Sequence, residues 1–316
     1  MTGRTSRREW LIFGALGLFW GSSYLFIKIG VETLSPFTLV AGRLLVGSLL
    51  LGVVLRASGE SLPRDRRTYR HLVVMAILNI VIPFSLITSG EQTIDSALAA
   101  ILNASVPLFT IVFAAFVLTD EPITVNRLIG LAVGFGGVVL LTSPSLGTGG
   151  GAELPGEAAL ILSSVSYAAG NVYARHNVRG LHPMIQAFFQ VFFAFAIAAV
   201  LALVVEHPLG IAYQVSSVVS VVWLGLLGSG LAYLAFFRLL ATWGSTRTSL
   251  VAYLLPIVGI VLGFVVLHET MDGRVLIGTV LVVGGVAFAN SPFGRRRVFG
   301  RRVATEPAIV DSLDPR

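Results

Sequence analysis

Inside long apolar runs of the 316-residue chain stand side chains that can donate, accept or stack, at spacings that group them. Trp20 and Tyr24 lie four residues apart, as do Gln186 and Gln190, while Ser163, Tyr167 and Asn171 fall at spacings of four and eight. On a helix each set shares one face. Asn79, Asn103, Tyr233 and Tyr253 are further polar groups far from the ends of their runs. None of these is a nucleophile or a charge. Their chemistry is reversible recognition, in which amides, phenols and indoles orient a small molecule in a wetted cavity. The competing use is to bridge helices, at roughly 0.6 kcal/mol or somewhat more per contact. For any one residue both uses stand; for the set a shared cavity is expected, because a polar side chain deep in lipid must be paired or wetted.

Two cations lie inside runs, Lys28 at the end of the first and Arg43 seven residues into the second, ~10 Å below the surface at 1.5 Å per residue. Either can attract an anionic group such as a carboxylate. Lys28 can also snorkel to the interface, and for Arg43 the preferred expectation is that it caps carbonyl groups of a neighbouring helix. Pro107 and Pro256 occupy matching runs. A proline removes an N–H and crowds the preceding turn, so the pair is expected to supply hinges.

Other chemistries are excluded by composition. With no cysteine there is no thiol nucleophile, disulfide or thiolate metal site, and the five histidines lack ligand spacing. Neither H-E-x-x-H nor G-x-S-x-G occurs, nor an acidic cluster able to hold a metal with phosphates. An enzyme, a metal and a cofactor are therefore not expected. The 16 carboxylates sit in loops, termini or the edges of runs, so no mid-membrane acid offers a proton relay. Facilitated diffusion stays open; Glu91, Asp95 and Glu121 are the acids left for coupling. Glu121 and Glu269 are expected to fix the turn that follows each, by capping the next helix or pairing with Arg127 and Arg274.

The elements that must carry these groups follow from solvent. With 55% hydrophobic residues, 12% charged and a mean hydropathy of +0.87, the chain cannot cover a water-soluble globule, and its solvent is lipid. Crossing ~30 Å of hydrocarbon takes roughly 20 apolar residues as helix. Ten runs qualify, at about 10–29, 36–55, 72–89, 97–119, 125–142, 158–174, 183–205, 217–240, 249–267 and 273–289. The first follows Arg4, Arg7 and Arg8 but lacks an A-x-A-like cleavage site, so it reads as a retained span. With both termini on the cytoplasmic side, 19 of the 22 Lys and Arg fall on inner segments, which also accounts for the +6 charge without nucleic acid.

The two halves superpose by sequence. At an offset of 147, Trp20 meets Tyr167, Lys28 meets Arg175, Pro36 meets Pro183 and Arg43 meets Gln190. At 148, Glu121 meets Glu269, Gly130 meets Gly278 and Gly136-Gly137 meets Gly284-Gly285, and at 149 Pro107 meets Pro256. Five spans is an odd number, so the second half runs through the membrane inverted. The fold class is accordingly an all-α membrane protein of about ten transmembrane helices in two inverted five-helix repeats: a cytoplasmic arm (1–9), a first repeat (10–142), a flexible Gly/Ser-rich linker (143–155), a second repeat (156–290) and a cytoplasmic disordered tail (291–316). Inverted repeats let two halves exchange conformations around a midplane site, and the Gly130-x-x-x-Gly134 step suits close helix packing.

The Trp20-Gly21-Ser22-Ser23 segment followed by Lys28, Arg43 early in the second span, and the repeated pattern of Pro, Glu, Gly and Gly-Gly resemble the EamA branch of the drug/metabolite transporter superfamily. The resemblance covers roughly residues 13–289. It implies ten helices in inverted repeats, cytoplasmic termini, a plasma or inner membrane location, and export of amino acids, metabolites or toxic compounds by alternating access. A channel-like facilitator or a membrane-embedded enzyme are the rival classes. The lining suits amino acids and amphipathic metabolites, and disfavours phosphorylated cargo, which needs several deep cations. Expected partners are the small-molecule substrate and the bilayer, with no nucleic acid; a homodimer is left open.

Overall fold

The computed structural model describes residues 7–117, 123–147, 151–178, 180–208, 214–291 and 297–299. Among the described residues the regular structure is helical apart from a short antiparallel pairing of β1 (Ile123–Thr124) with β2 (Arg297–Phe299). That pairing gives three residues of the expected disordered tail an ordered backbone. Helices α1 (Arg7–Val31) and α2 (Pro36–Ser58) are unbroken. The third run is α3 (Arg66–Ala76) and α4 (Ile82–Gly90), joined by a π turn at Ile77–Val81, and the fourth is α5 (Ser96–Asn103) and α6 (Val106–Val117). Then come α7 (Val125–Gly147), α8 (Leu154–Asn177), α9 (Pro183–Leu201) with a π turn to Glu206, α10 (Val215–Trp223), a π segment at Leu224–Leu231, α11 (Ala232–Thr248), a 3-10 turn at Ser249–Tyr253, α12 (Leu254–Val266) and α13 (Gly273–Ala289). Helix α7 continues through Pro144 to Gly147, so the linker expected at 143–155 begins later. Glu121 lies outside the described residues.

By length and apolarity, 8 helical segments among the described residues can cross a membrane. Eight of the ten expected runs meet that measure among the described residues, and two do not. Helix α13 is apolar but shorter, with 17 residues, and α8 has 24 residues but is diluted by Ser163, Ser164, Ser166, Tyr167 and Asn171. The outer faces match a lipid solvent: Phe116, Val280 and Val53 are 76%, 70% and 68% exposed. Apolar faces of this extent are rare on monomers in water and suit hydrocarbon.

Starts and breaks follow local chemistry. Pro36 and Pro183 open α2 and α9, where the missing N–H costs nothing. Asp65 and Asp272 cap α3 and α13. The backbone N–H groups of Arg67 and Thr68 hold the Asp65 carboxyl below its usual range. Pro83 follows the π turn of the third run, Pro107 follows the α5–α6 break at Ala104–Ser105, and Pro256 follows the 3-10 turn that opens α12. In each case the lost N–H is relieved by loosening or tightening the turn before it.

Glycines bring backbones together where α7 meets α13. A Cβ at Gly130 would lie 2.5 Å from the Gly285 carbonyl oxygen, and one at Gly285 would lie 2.5 Å from the Gly134 nitrogen. These helices run antiparallel, since Gly137 faces Gly278 and Leu281 while Gly130 faces Ala289. Helices α1 and α12 run parallel, with Gly17 against Leu254 and Gly21 against Val258. The start of α7, the end of α13, the start of α1 and the end of α11 therefore share one end of the bundle. Asn126 donates to the carbonyls of Ala289 and Ser291, and Trp243 donates to Glu9, across that end.

Candidate substrate cavity

A cavity of ≈ 730 Å³ lies among α1, α2, the third and fourth runs, α8, α9 and α11. Of the eleven polar and aromatic residues singled out inside the runs, ten line it: Trp20 and Tyr24 from α1, Asn79 from the π turn, Asn103 from α5, Tyr167 and Asn171 from α8, Gln186 and Gln190 from α9, Tyr233 from α11 and Tyr253 beside α12. Ser163, expected on the same face as Tyr167 and Asn171, is buried against Asn103 and the Leu160 carbonyl and does not reach it. Arg43 and Pro107 join the wall, whereas Lys28 and Pro256 do not.

The polar wall divides by how much of its hydrogen bonding the protein itself supplies. Asn103 is a bridge: its amide nitrogen donates to the Tyr24 hydroxyl at 2.7 Å, and its oxygen accepts from Ser163 at 3.3 Å and Ser164 at 3.5 Å. It ties α1, α5 and α8 together while lining the cavity. Trp20 donates to the Gly228 carbonyl at 3.2 Å and packs its ring at a tilt against Phe236 at 5.5 Å and edge-on to Tyr233 at 6.3 Å. Gln190 donates back to the Gln186 carbonyl at 3.2 Å. By contrast, the Tyr167 hydroxyl and the Asn171 amide carry no side-chain bond among the described residues, and Asn171 is exposed although it sits on an inward helix. The Asn79 oxygen is sealed against Gly170 with no donor.

Arg43 departs from its expected role. It donates through Nε to the Ser229 hydroxyl at 3.3 Å, not to backbone carbonyls, and its guanidinium carbon lies 4.2 Å above the Phe84 ring. It is 3% exposed and forms no ion pair among the described residues. The carbonyl-capping cation is Lys28 instead, whose ammonium donates to the carbonyls of Glu91 at 2.8 Å and Ile94 at 2.7 Å. This corrects both the snorkelling and the anion-attracting expectation for Lys28. Glu269 is also corrected: it caps neither the following helix nor pairs with Arg274. Its two oxygens accept from the backbone N–H groups of Ser96 at 2.8 Å and Ala97 at 3.0 Å, at the start of α5.

Those bonds belong to a sealed end of the bundle. There Glu206 accepts from the Phe37 and Thr38 N–H groups at 2.8 and 2.7 Å, and the Thr33 and Ser217 hydroxyls bond each other. The cavity extends the opposite way, its wall running to Arg127, Arg175, Ser249 and Asn290 at the end that holds the helix termini named above. Spacing missed Phe84, Phe236, Phe237 and the two mouth arginines as wall residues. A signal existed for Arg175, which the 147-residue offset places opposite Lys28; the phenylalanines are indistinguishable from lipid-facing ones without the fold.

Residues 8–143 and again 154–291 match the EamA-like transporter family. The chain is 29% identical over 288 residues to YedA of Escherichia coli, described as an uncharacterized inner membrane transporter, covering 87% of this chain and 91% of that one. It is 21% identical over 281 residues to the transporter YoaV of Bacillus subtilis, covering 89% and 96%. A solved crystal structure superposes with a TM-score of 0.64 at 24% identity, covering 90% of this chain and 97% of the other, a likeness of fold alone. Two matches that together take in most of a multi-pass helical chain place it plainly: the protein belongs to the EamA-like transporter family.

Proposed function

We propose that the protein exports amino-acid-sized amphipathic metabolites across the plasma or inner membrane by alternating access, with the cavity as its substrate site. The observation that carries this is convergence. Side chains scattered over residues 20–253, picked only for being polar or aromatic inside apolar runs, meet on one cavity that reaches one end of the bundle and is sealed at the other. An asymmetric cavity of this kind is what one half-cycle of a carrier requires.

In this reading the two matched segments are inverted repeats, the linker lies outside, and both termini are cytoplasmic, so the conformation described is open inward. Export then proceeds by breaking the bonds of Lys28, Glu206 and Glu269 at the sealed end while the mouth closes. Pro107 and Pro256 are the hinges, since each adjoins a break or tightened turn in its run.

The test is flux and topology together. In vesicles, efflux of preloaded amino acids should saturate and show counterflow, whereas current linear in voltage would mark a channel and overturn the carrier reading. A cysteine at Ala152 should be labelled from outside cells by an impermeant reagent and one at Arg66 should not. The reverse pattern would remove the inverted, inward-open assignment.

A further inference from the structure

We infer that the cavity selects organic monoanions, seating a carboxylate on Arg43 and the apolar or aromatic part of the cargo on the rings around it. This rests on the cavity being the substrate site, as proposed above, and narrows what that site takes.

The first support is the state of Arg43. A guanidinium carries five N–H donors in a fork that matches a carboxylate edge. Here Nε is spent on Ser229, and no other side-chain bond or ion pair to the group exists among the described residues, although the residue is 3% exposed and on the cavity wall. A buried cation ordinarily comes with a counter-ion. Ser229 and the Phe84 ring at 4.2 Å orient the fork from behind and beside it without neutralising it.

The second support is independent of the first. Among the described residues the cavity wall contains three arginines, Arg43, Arg127 and Arg175, and no aspartate or glutamate. No carboxylate on the wall competes with a cargo anion for Arg43, and a cation in the cavity meets no opposite charge on the described wall. A cargo ammonium would meet only neutral acceptors such as the Asn171 amide oxygen, and ring faces. A single deep cation suits one negative charge. A phosphate dianion would keep a charge unmatched, since Arg127 and Arg175 stand at the mouth.

The experiment uses the full chain in nanodiscs and three probes of one shape: 3-phenylpropionate, its amide, and 3-phenylpropylammonium, measured by equilibrium dialysis at neutral pH against empty nanodiscs. The carboxylate should bind at least about tenfold tighter than the amide, as expected for charge-assisted bidentate bonding, and the ammonium should not compete. Arg43→Gln should bring the carboxylate down to the level of the amide, and Arg43→Lys should keep part of the preference. Equal binding of carboxylate and amide, tighter binding of the ammonium, or a preference that survives in Arg43→Gln overturns the inference while leaving a ligand cavity. The probe series on the unmodified protein decides the matter even if the Gln variant does not fold. Binding by none of the three at millimolar concentration overturns it too, and the counterflow assay judges the transport reading separately.

Discussion

The sealed end of the bundle and the cavity hold similar side chains in opposite states. At the sealed end, three charged groups are saturated by the chain itself: Lys28 spans two carbonyls, Glu269 two backbone N–H groups, and Glu206 two more. In the cavity, Arg43 has one hydrogen bond, and Tyr167 and Asn171 have no side-chain partner among the described residues. Polarity in a membrane helix therefore does not by itself mark function. What separates a strut from a site is how many of its hydrogen bonds the protein leaves over for something else.

The sharpest way to break this comparison is to unsaturate a strut. Glu269→Ala strips the N-terminus of α5 of both its acceptors, at N–H groups that are buried. The loss should be about 2 to 4 kcal/mol, seen as a lower thermal midpoint in nanodiscs. A cysteine at Ile94, buried beside this cap, should also label faster in the variant. An unchanged midpoint would show that the sealed end is not held by its capping bonds.

The second test touches the cavity. Asn171→Ala and Tyr167→Phe remove side-chain groups that bond nothing among the described residues, so stability should move by no more than about 0.5 kcal/mol. The apparent affinity for transported cargo should fall by about three- to tenfold, the range of one lost hydrogen bond. Larger effects on folding than on affinity would make these residues struts after all.

Much of this difference was legible in the sequence, but not all of it. The cavity wall was, because in lipid a helix can hide Asn, Gln or Tyr only by turning it inward, so the i, i+4 pairs on α1, α8 and α9 name their own face. The breaks were legible from Pro107 and Pro256 for the same reason: proline leaves a carbonyl unpaired wherever it stands. The roles of the charges were not. Lys28 and Arg43 are both single cations near the start or end of a run, and which of them meets carbonyls depends on the loop at Glu91–Ile94 folding back over α1. Glu269 is similar. Its sequence neighbours offer a nearby helix start, yet the N–H groups it reaches lie 173 and 172 positions away. Such contacts follow from how helices assemble, which no local pattern encodes.

A milder change sharpens the hinge assignment. Pro107→Ala and Pro256→Ala should slow flux by a few-fold, about 1 kcal/mol on the barrier, with insertion and thermal midpoint kept. Pro107 should show the larger effect, since it alone of the two lines the cavity. Equal rates for both variants and the parent protein would leave the prolines a packing role only.

The smallest expected change is at a charged group that violates the comparison. Glu91 is at the sealed end and 0% exposed, yet both of its carboxylate oxygens are buried with no hydrogen-bond partner among the described residues, and Lys28 binds its backbone carbonyl instead of its side chain. A charge buried without donors is costly, and a neutral amide of the same shape removes that cost while keeping the packing. Glu91→Gln should therefore leave the thermal midpoint unchanged or raise it slightly, in contrast to Glu269→Ala, although the two acids are neighbours in the fold. The measurement is the pair of midpoints in the same nanodiscs. If Glu91→Gln lowers stability as much as Glu269→Ala, then Glu91 is bonded in the membrane through partners such as water, and saturation at that end is more complete than the protein bonds alone make it.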